Sequence, residues 1–189
     1  MRIKSVGVEV ELAVYRKQEP ITCYFLKYTK DKPLEINGHL LHKDASMFEL
    51  AVAPAFEPSA LDSNMVDALK HANKMLPEGV MMKPTPAVRY TDEALAADPY
   101  ASVLGCGASQ NIYEPPAMPD EYEDNYRYGG THVNIGFFND VDPVTTTLKL
   151  DYALGLHSVV YWEDGWTEEM QRRRKYCLLY TSPSPRDRG

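Results

Sequence analysis

Val6-Gly7-Val8-Glu9-Val10-Glu11-Leu12 alternates without a break. As a β-strand it puts Val6, Val8, Val10 and Leu12 on one face and Gly7, Glu9 and Glu11 on the other. Four branched aliphatics make the first face core. The second carries two carboxylates about 6–7 Å apart at strand rise, with a glycine leaving room beside them. At an effective dielectric near 20, charges at that distance repel by roughly 2–3 kcal/mol. A fold relieves this by separating them, by pairing them with Lys or Arg, or by placing a cation between them. No basic residue alternates with Glu9 and Glu11, which favours the cation. The alternative is an edge strand with a wet acidic face.

Two later segments repeat the pattern. In Met47 to Ala53, Phe48, Leu50 and Val52 alternate with Glu49, Ala51 and Ala53, and Pro54 is expected to end the strand. In the segment from Gly129 to Phe137, Thr131, Val133, Ile135 and Phe137 alternate with His132, Asn134 and Gly136. If the three strands share one sheet, Glu9, Glu11, Glu49, His132 and Asn134 converge on one concave surface. An oxygen-rich set with one imidazole suits Mg²⁺ or Mn²⁺ better than Zn²⁺, which asks for more His or Cys. It fits a phosphoryl-transfer site, where metals bridge phosphate oxygens and neutralise developing charge. Singly, each residue has an ordinary reading. Glu49 is a solvated strand residue, His132 a hydrogen-bonded core histidine, Arg127 a partner for the acidic loop before it, and Arg172-Arg173-Arg174 a solvated helix face.

Between these strands, Ile21 to Tyr28 is rich in β-formers and reads as a strand. Asp31-Lys32-Pro33 and Asn37-Gly38 are turn signals. The spacing predicts a helix over Ser59 to Leu76, capped by Ser59 and burying Leu61, Met65, Val66, Leu69, Ala72 and Leu76. Val80-Met81-Met82 reads as a short buried strand, and Thr91 to Ala97 as one or two helical turns. Gly105-Cys106-Gly107 reads as a turn rather than a phosphate loop. Asp142 and Pro143 open a last helix predicted to reach about Trp162. The order is that of an α+β domain built on an antiparallel sheet.

The chain has 189 residues, enough for one domain with a full core, and a net charge of −7. That charge argues against general nucleic-acid binding, which needs a basic surface. No apolar run approaches a membrane span and no signal-peptide pattern opens the chain. Cys23, Cys106 and Cys177 form neither a metal-ligand spacing nor a disulfide framework, so a reducing cytoplasm is expected.

Residues 177–189, Cys-Leu-Leu-Tyr-Thr-Ser-Pro-Ser-Pro-Arg-Asp-Arg-Gly, resemble a translated transposon-end adapter from sequencing libraries. TGT CTC TTA TAC ACA TCT encodes Cys-Leu-Leu-Tyr-Thr-Ser, and CCG AGC CCA CGA GAC encodes Pro-Ser-Pro-Arg-Asp. On this reading 177–189 is a non-native tail, and 1–176 is a single, C-terminally truncated domain.

Three motifs together resemble a known family. They are Gly7-Val8-Glu9-Val10-Glu11, His42-Lys43-Asp44 through Phe48-Glu49-Leu50 to Pro54, and Arg127-Tyr128-Gly129-Gly130-Thr131-His132-Val133-Asn134. In order and spacing they resemble the phage-type carboxylate–amine ligases, in particular the group named for phiEco32-like phages (COOH·NH2 ligase, type 2). These are amidoligases of the glutamine synthetase and glutamate–cysteine ligase superfamily. The resemblance implies a curved antiparallel sheet with helices on its convex face and the site on the concave one. It implies ATP and Mg²⁺ (or Mn²⁺) as cofactors, an acyl phosphate, and its displacement by an amine to give an amide. The partners would be small-molecule or peptide carboxylates and amines, met in a host's cytoplasm if the gene is phage-borne. Carried over by motif, Glu9, Glu11, Glu49 and His132, with Asp44, match metal and nucleotide positions. Asn134 stands where some relatives have a second His and would meet phosphate or substrate. Arg127 and Arg172, Arg173 and Arg174 are the candidates for phosphate charge. Further family site residues would fall beyond Tyr176, so activity is expected of the parent protein. Two other readings of the same face are a metal-dependent hydrolase and a noncatalytic metal- or ligand-binding phage protein.

Overall fold

A computed structural model describes residues 3–101, 125–138, 141–150 and 152–153. They fall into two units: 3–101 with 125–138, and separately 141–150 with 152–153. The proposed tail, the Arg172 to Arg174 run and the predicted end of the last helix lie outside the described residues.

The first unit is α+β and is organised around β1, Ile3–Arg16. Next come β2 (Glu19–Ile21), β3 (Leu34–Ile36), β4 (His39–Asp44), β5 (Met47–Ala55), α1 (Pro58–Met75) and β6 (Val80–Lys83). The unit continues with β7 (Ala87–Arg89), α2 (Asp92–Ala96), β8 (Tyr126–Tyr128) and β9 (Thr131–Phe137). Seven strands form one antiparallel sheet that curls as a half-barrel, and β7 with β8 forms a separate two-stranded ribbon. The N-terminal part of β1 lies between β5 and β9, while its last residues pair with β2 and β6. One strand thereby touches four others. The second unit contains α3 (Pro143–Leu150), whose first turn is capped by Asp142 accepting from the Thr145 amide at 2.9 Å.

The alternation read from residues 6–12 sets the layers. Leu12 and Val14 join Leu41, Phe48, Leu50 and Ala72 of α1 in one core cluster. On the opposite face the strand changes character at Ala13. Ala13 packs with Met47, Val88, Tyr90, Leu95 and Ala101 in a second cluster, directly after Glu9 and Glu11 on the same face. The helical face of α1 is built from small residues, Ala68 and Ala72, whereas Val66 and Leu69 are exposed. Alanines let the helix lie close on the sheet; of the expected stripe, Ala72 is buried, Leu76 packs on the core and Leu61 and Met65 are half-buried. Pro58 at the first helical position starts this helix earlier than Ser59 would, and no side chain caps it.

Other departures have local causes. Pro54 does not end β5. The register shifts between the pairs Val6–Ala55 and Val8–Val52, and this bulge absorbs a residue that has no N–H to give. Ile21 closes β2, and the expected strand through Tyr28 is instead irregular. Cys23 and Leu26 are both buried, a spacing of three that fits a turn, and the Leu26 amide donates to the Cys23 carbonyl at 2.9 Å. The strand at Val80 forms as expected, but Met81 is exposed. Asn37 and Gly38, both at positive φ, make the tight β3–β4 hairpin that their sequence announces. Lys17, Gln18 and Ala45 also adopt positive φ without such a signal. No described helix is long and apolar enough to cross a membrane.

Candidate functional site

Strand register places the acidic side chains in files across the sheet. Glu11 of β1 is opposite Glu49 of β5, and Glu49 is opposite His42 of β4. One step along, Glu9 is opposite His132 of β9 on one side and Ala51 on the other. Asp44 lies two residues beyond His42, on the same face of β4. Asn134 is opposite Gly7, again on this face. Strands distant in sequence thus bring Glu9, Glu11, Asp44, Glu49, His132 and Asn134 to one side of the curled sheet.

The tightest group is Glu11, Asp44 and Glu49, each offering an oxygen within 4.8 Å of the others. Glu49 and Asp44 are buried. Glu49 Oε2 and Asp44 Oδ1 are both inaccessible and make no hydrogen bond among the described residues. Leaving such acceptors dry costs about 1–3 kcal/mol each, and more for a charged group. Burial pushes the Glu49 carboxyl up to about 7; Lys30 pulls it down, and the negative Asp44, Glu11 and Glu9 push it further up. This carboxylate needs a cation or a proton.

The other members of the group are held in place. Lys30 Nζ donates to Asp44 Oδ2 at 2.8 Å. The Gly130 amide donates to Glu11 Oε2 at 2.7 Å, and the Glu11 amide donates to the Gly130 carbonyl at 3.0 Å. The approach of this segment requires glycine at 129. A Cβ there would stand 2.9 Å from the Thr85 carbonyl oxygen and 3.0 Å from Met47 Sδ. His132 Nδ1 is 3.3 Å from Glu9 Oε2, and this bond raises the imidazole's affinity for its proton. His132 is largely exposed, at 62% of its side chain.

Arg127 precedes this segment in the chain. It is buried in β8, where Nε and Nη2 donate to the Ala101 carbonyl and Nη1 donates to the Tyr126 carbonyl. Its described bonds brace the ribbon that leads into Gly130. Sequence reasoning missed His42 and Lys30 as site residues. His42 alternates with Asp44, a signal visible once β4 is read as a strand; Lys30 reaches Asp44 from a loop and gives no such signal.

No protein-family model, no curated protein and no solved structure matches this chain.

Proposed function

We propose that this face holds a divalent cation, Mg²⁺ or Mn²⁺, and that the chain carries part of the site of an ATP-dependent carboxylate–amine ligase with a glutamine synthetase-like catalytic fold. The observation behind this reading is the trio Glu11, Asp44 and Glu49, with two buried carboxylate oxygens that make no hydrogen bond among the described residues. An all-oxygen trio fits a hard cation that keeps some of its waters. Glu11, Asp44 and Glu49 hold the ion, and Glu9 with His132 forms the adjoining wall. Asn134, exposed next to them, is placed to meet phosphate or substrate. Arg127 braces the backbone that presents Gly130 and His132; Arg172, Arg173 and Arg174, which the resemblance offers for a phosphate's charge, lie outside the described residues. Mg²⁺–ATP, when bound, supplies the phosphoryl group that activates a carboxylate toward an amine.

The test is a titration of the chain with Mn²⁺ followed by electron paramagnetic resonance, then phosphate release from Mg²⁺–ATP with pooled carboxylates and amines. Amide formation that requires both substrates supports the ligase. ATP consumption indifferent to amine points to hydrolysis, and Mn²⁺ binding without turnover points to a noncatalytic module. Absence of Mn²⁺ binding overturns the cation site itself.

A further inference from the structure

On the α1 side of the sheet, away from the acidic trio, a second group of metal-competent side chains meets. Asp67 and His71 stand one turn apart on α1, and Asn37 reaches them from the β3–β4 hairpin, where it sits at positive φ. Three atoms converge. Asn37 Nδ2 lies 2.9 Å from Asp67 Oδ2 and 3.3 Å from His71 Nε2, and those two are 3.6 Å apart.

Hydrogen bonding fixes the state of each group. An amide nitrogen only donates, so His71 Nε2 accepts and presents its lone pair to the cluster. Behind Asp67 stands His39, almost fully buried. Its Nδ1 accepts from the Ala53 amide at 2.9 Å, so its Nε2 carries the hydrogen and faces Asp67 Oδ2 at 3.3 Å. Such a bond orients a carboxylate in the way that groups behind metal ligands do. The Asn37 bond, aided by His39, holds the Asp67 carboxyl below its ordinary range, so it stays ionised. The Asp67 side chain is 41% exposed, which leaves an approach from solvent.

We propose that Asn37, Asp67 and His71 form a binding site for a divalent transition-metal ion of the zinc class. Ligands about 2.0–2.2 Å from a tetrahedral ion stand about 3.3–3.6 Å from one another. Two of the three separations already match, and the third opens by about half an ångström as a hydrogen bond becomes a shared ion. A half-turn of the Asn37 amide puts Oδ1 where Nδ2 stands, and water takes the fourth position. His39 stays behind the ligands, because one of its nitrogens is committed to Ala53 and the other carries hydrogen. An imidazole beside a carboxylate suits Zn²⁺, whereas the all-oxygen trio suits a harder ion, so the two sites differ in chemistry as well as in place.

The experiment titrates the ¹⁵N-labelled full chain with Zn²⁺ alone and follows the histidine ring nitrogens by long-range ¹H–¹⁵N nuclear magnetic resonance. Before Zn²⁺, His71 Nε2 is expected at the position of an unprotonated ring nitrogen and His39 Nε2 at that of a protonated one. Zn²⁺ is expected to move His71 Nε2, saturating at one equivalent for this signal, and to leave the His39 tautomer as it was. Because the readout is the His71 ring, ions taken up by Glu11, Asp44 and Glu49 do not mimic it. Asp67→Asn and Asn37→Gly, each first checked by thermal melting, are expected to weaken the response by about tenfold or more. Glycine suits the positive φ at position 37, so this variant decides if Asp67→Asn does not fold. A His71 Nε2 signal unmoved by millimolar Zn²⁺ overturns the site, and so does parental affinity in either folded variant.

Discussion

Glu11 and Glu49 occupy directly opposed positions on β1 and β5, so two carboxylates share one cross-strand pair on the site face. Like charges placed this way destabilise a sheet. The arrangement persists beside a third acid, Asp44, with oxygens of all three within 4.8 Å.

Removing one charge therefore stabilises the cation-free protein. Glu49→Gln keeps shape and gives an amide whose donors can reach the surrounding carboxylate acceptors. In EDTA at pH 8, where Glu49 is ionised, its gain is expected at about 1–2 kcal/mol, which for a chain of this size moves Tm by roughly 2–8 °C. Added Mn²⁺ is expected to raise the melting temperature of the parent chain and leave the variant unmoved. Differential scanning calorimetry with and without Mn²⁺ checks both halves.

Glu49 also sets a pH dependence. Its carboxyl is raised from 4.5 to about 7 in the folded chain, so the folded state binds more protons than the unfolded one between those values. The associated stability is complete below pH 4.5 and is lost as pH climbs to about 7. The shift corresponds to roughly 3 kcal/mol at most. Urea denaturation at pH 5, 6 and 7 in EDTA is expected to show this decline in the parent and a flatter profile in Glu49→Gln.

The contact between Glu9 and His132 is readable by nuclear magnetic resonance. The carboxylate raises the His132 pKa above its ordinary 6.5 through the bond to Nδ1. In Glu9→Gln the imidazole Cε1 proton is expected to titrate at lower pH than in the parent. The stabilisation it lends is complete below pH 6.5 and is lost as pH rises through the raised value. An unchanged midpoint would refute the pairing.

Gly129→Ala tests the close approach that brings Gly130 to Glu11. The added methyl meets the Thr85 carbonyl and Met47 Sδ, one of them backbone that cannot swing aside. A loss of about 1–3 kcal/mol is expected in urea denaturation. Weaker Mn²⁺ binding should accompany it, because the Gly130 amide loses its seat on Glu11.

Much of this was legible in residues 6–12, 47–53 and 131–137, because a period of two needs no tertiary knowledge to be read. It predicted that β1, β5 and β9 would exist and which of their side chains would share a face. Glu9 and His132 were both foreseen as site residues, but their pairing came only from the register of β1 with β9. Pro54 misled, since a bulge can carry a proline that a regular ladder cannot. The run from Thr22 to Tyr28 misled too, for β-forming composition says nothing about a turn at Cys23 to Leu26. His42 was hidden because its place opposite Glu49 depends on a cross-strand register. Arg127 was conspicuous beside Gly129 and Gly130, yet its described bonds go to main-chain carbonyls.

β1 hydrogen-bonds to β2, β5, β6 and β9 along its 14 residues, and that multiplicity locks its register from both sides. A single-residue insertion or deletion between Gly7 and Glu11 would exchange the strand's faces, sending glutamates toward α1 and valines toward Asp44. A change of count in this strand either finds a bulge to absorb it, as Pro54 does on β5, or turns the acidic face inward.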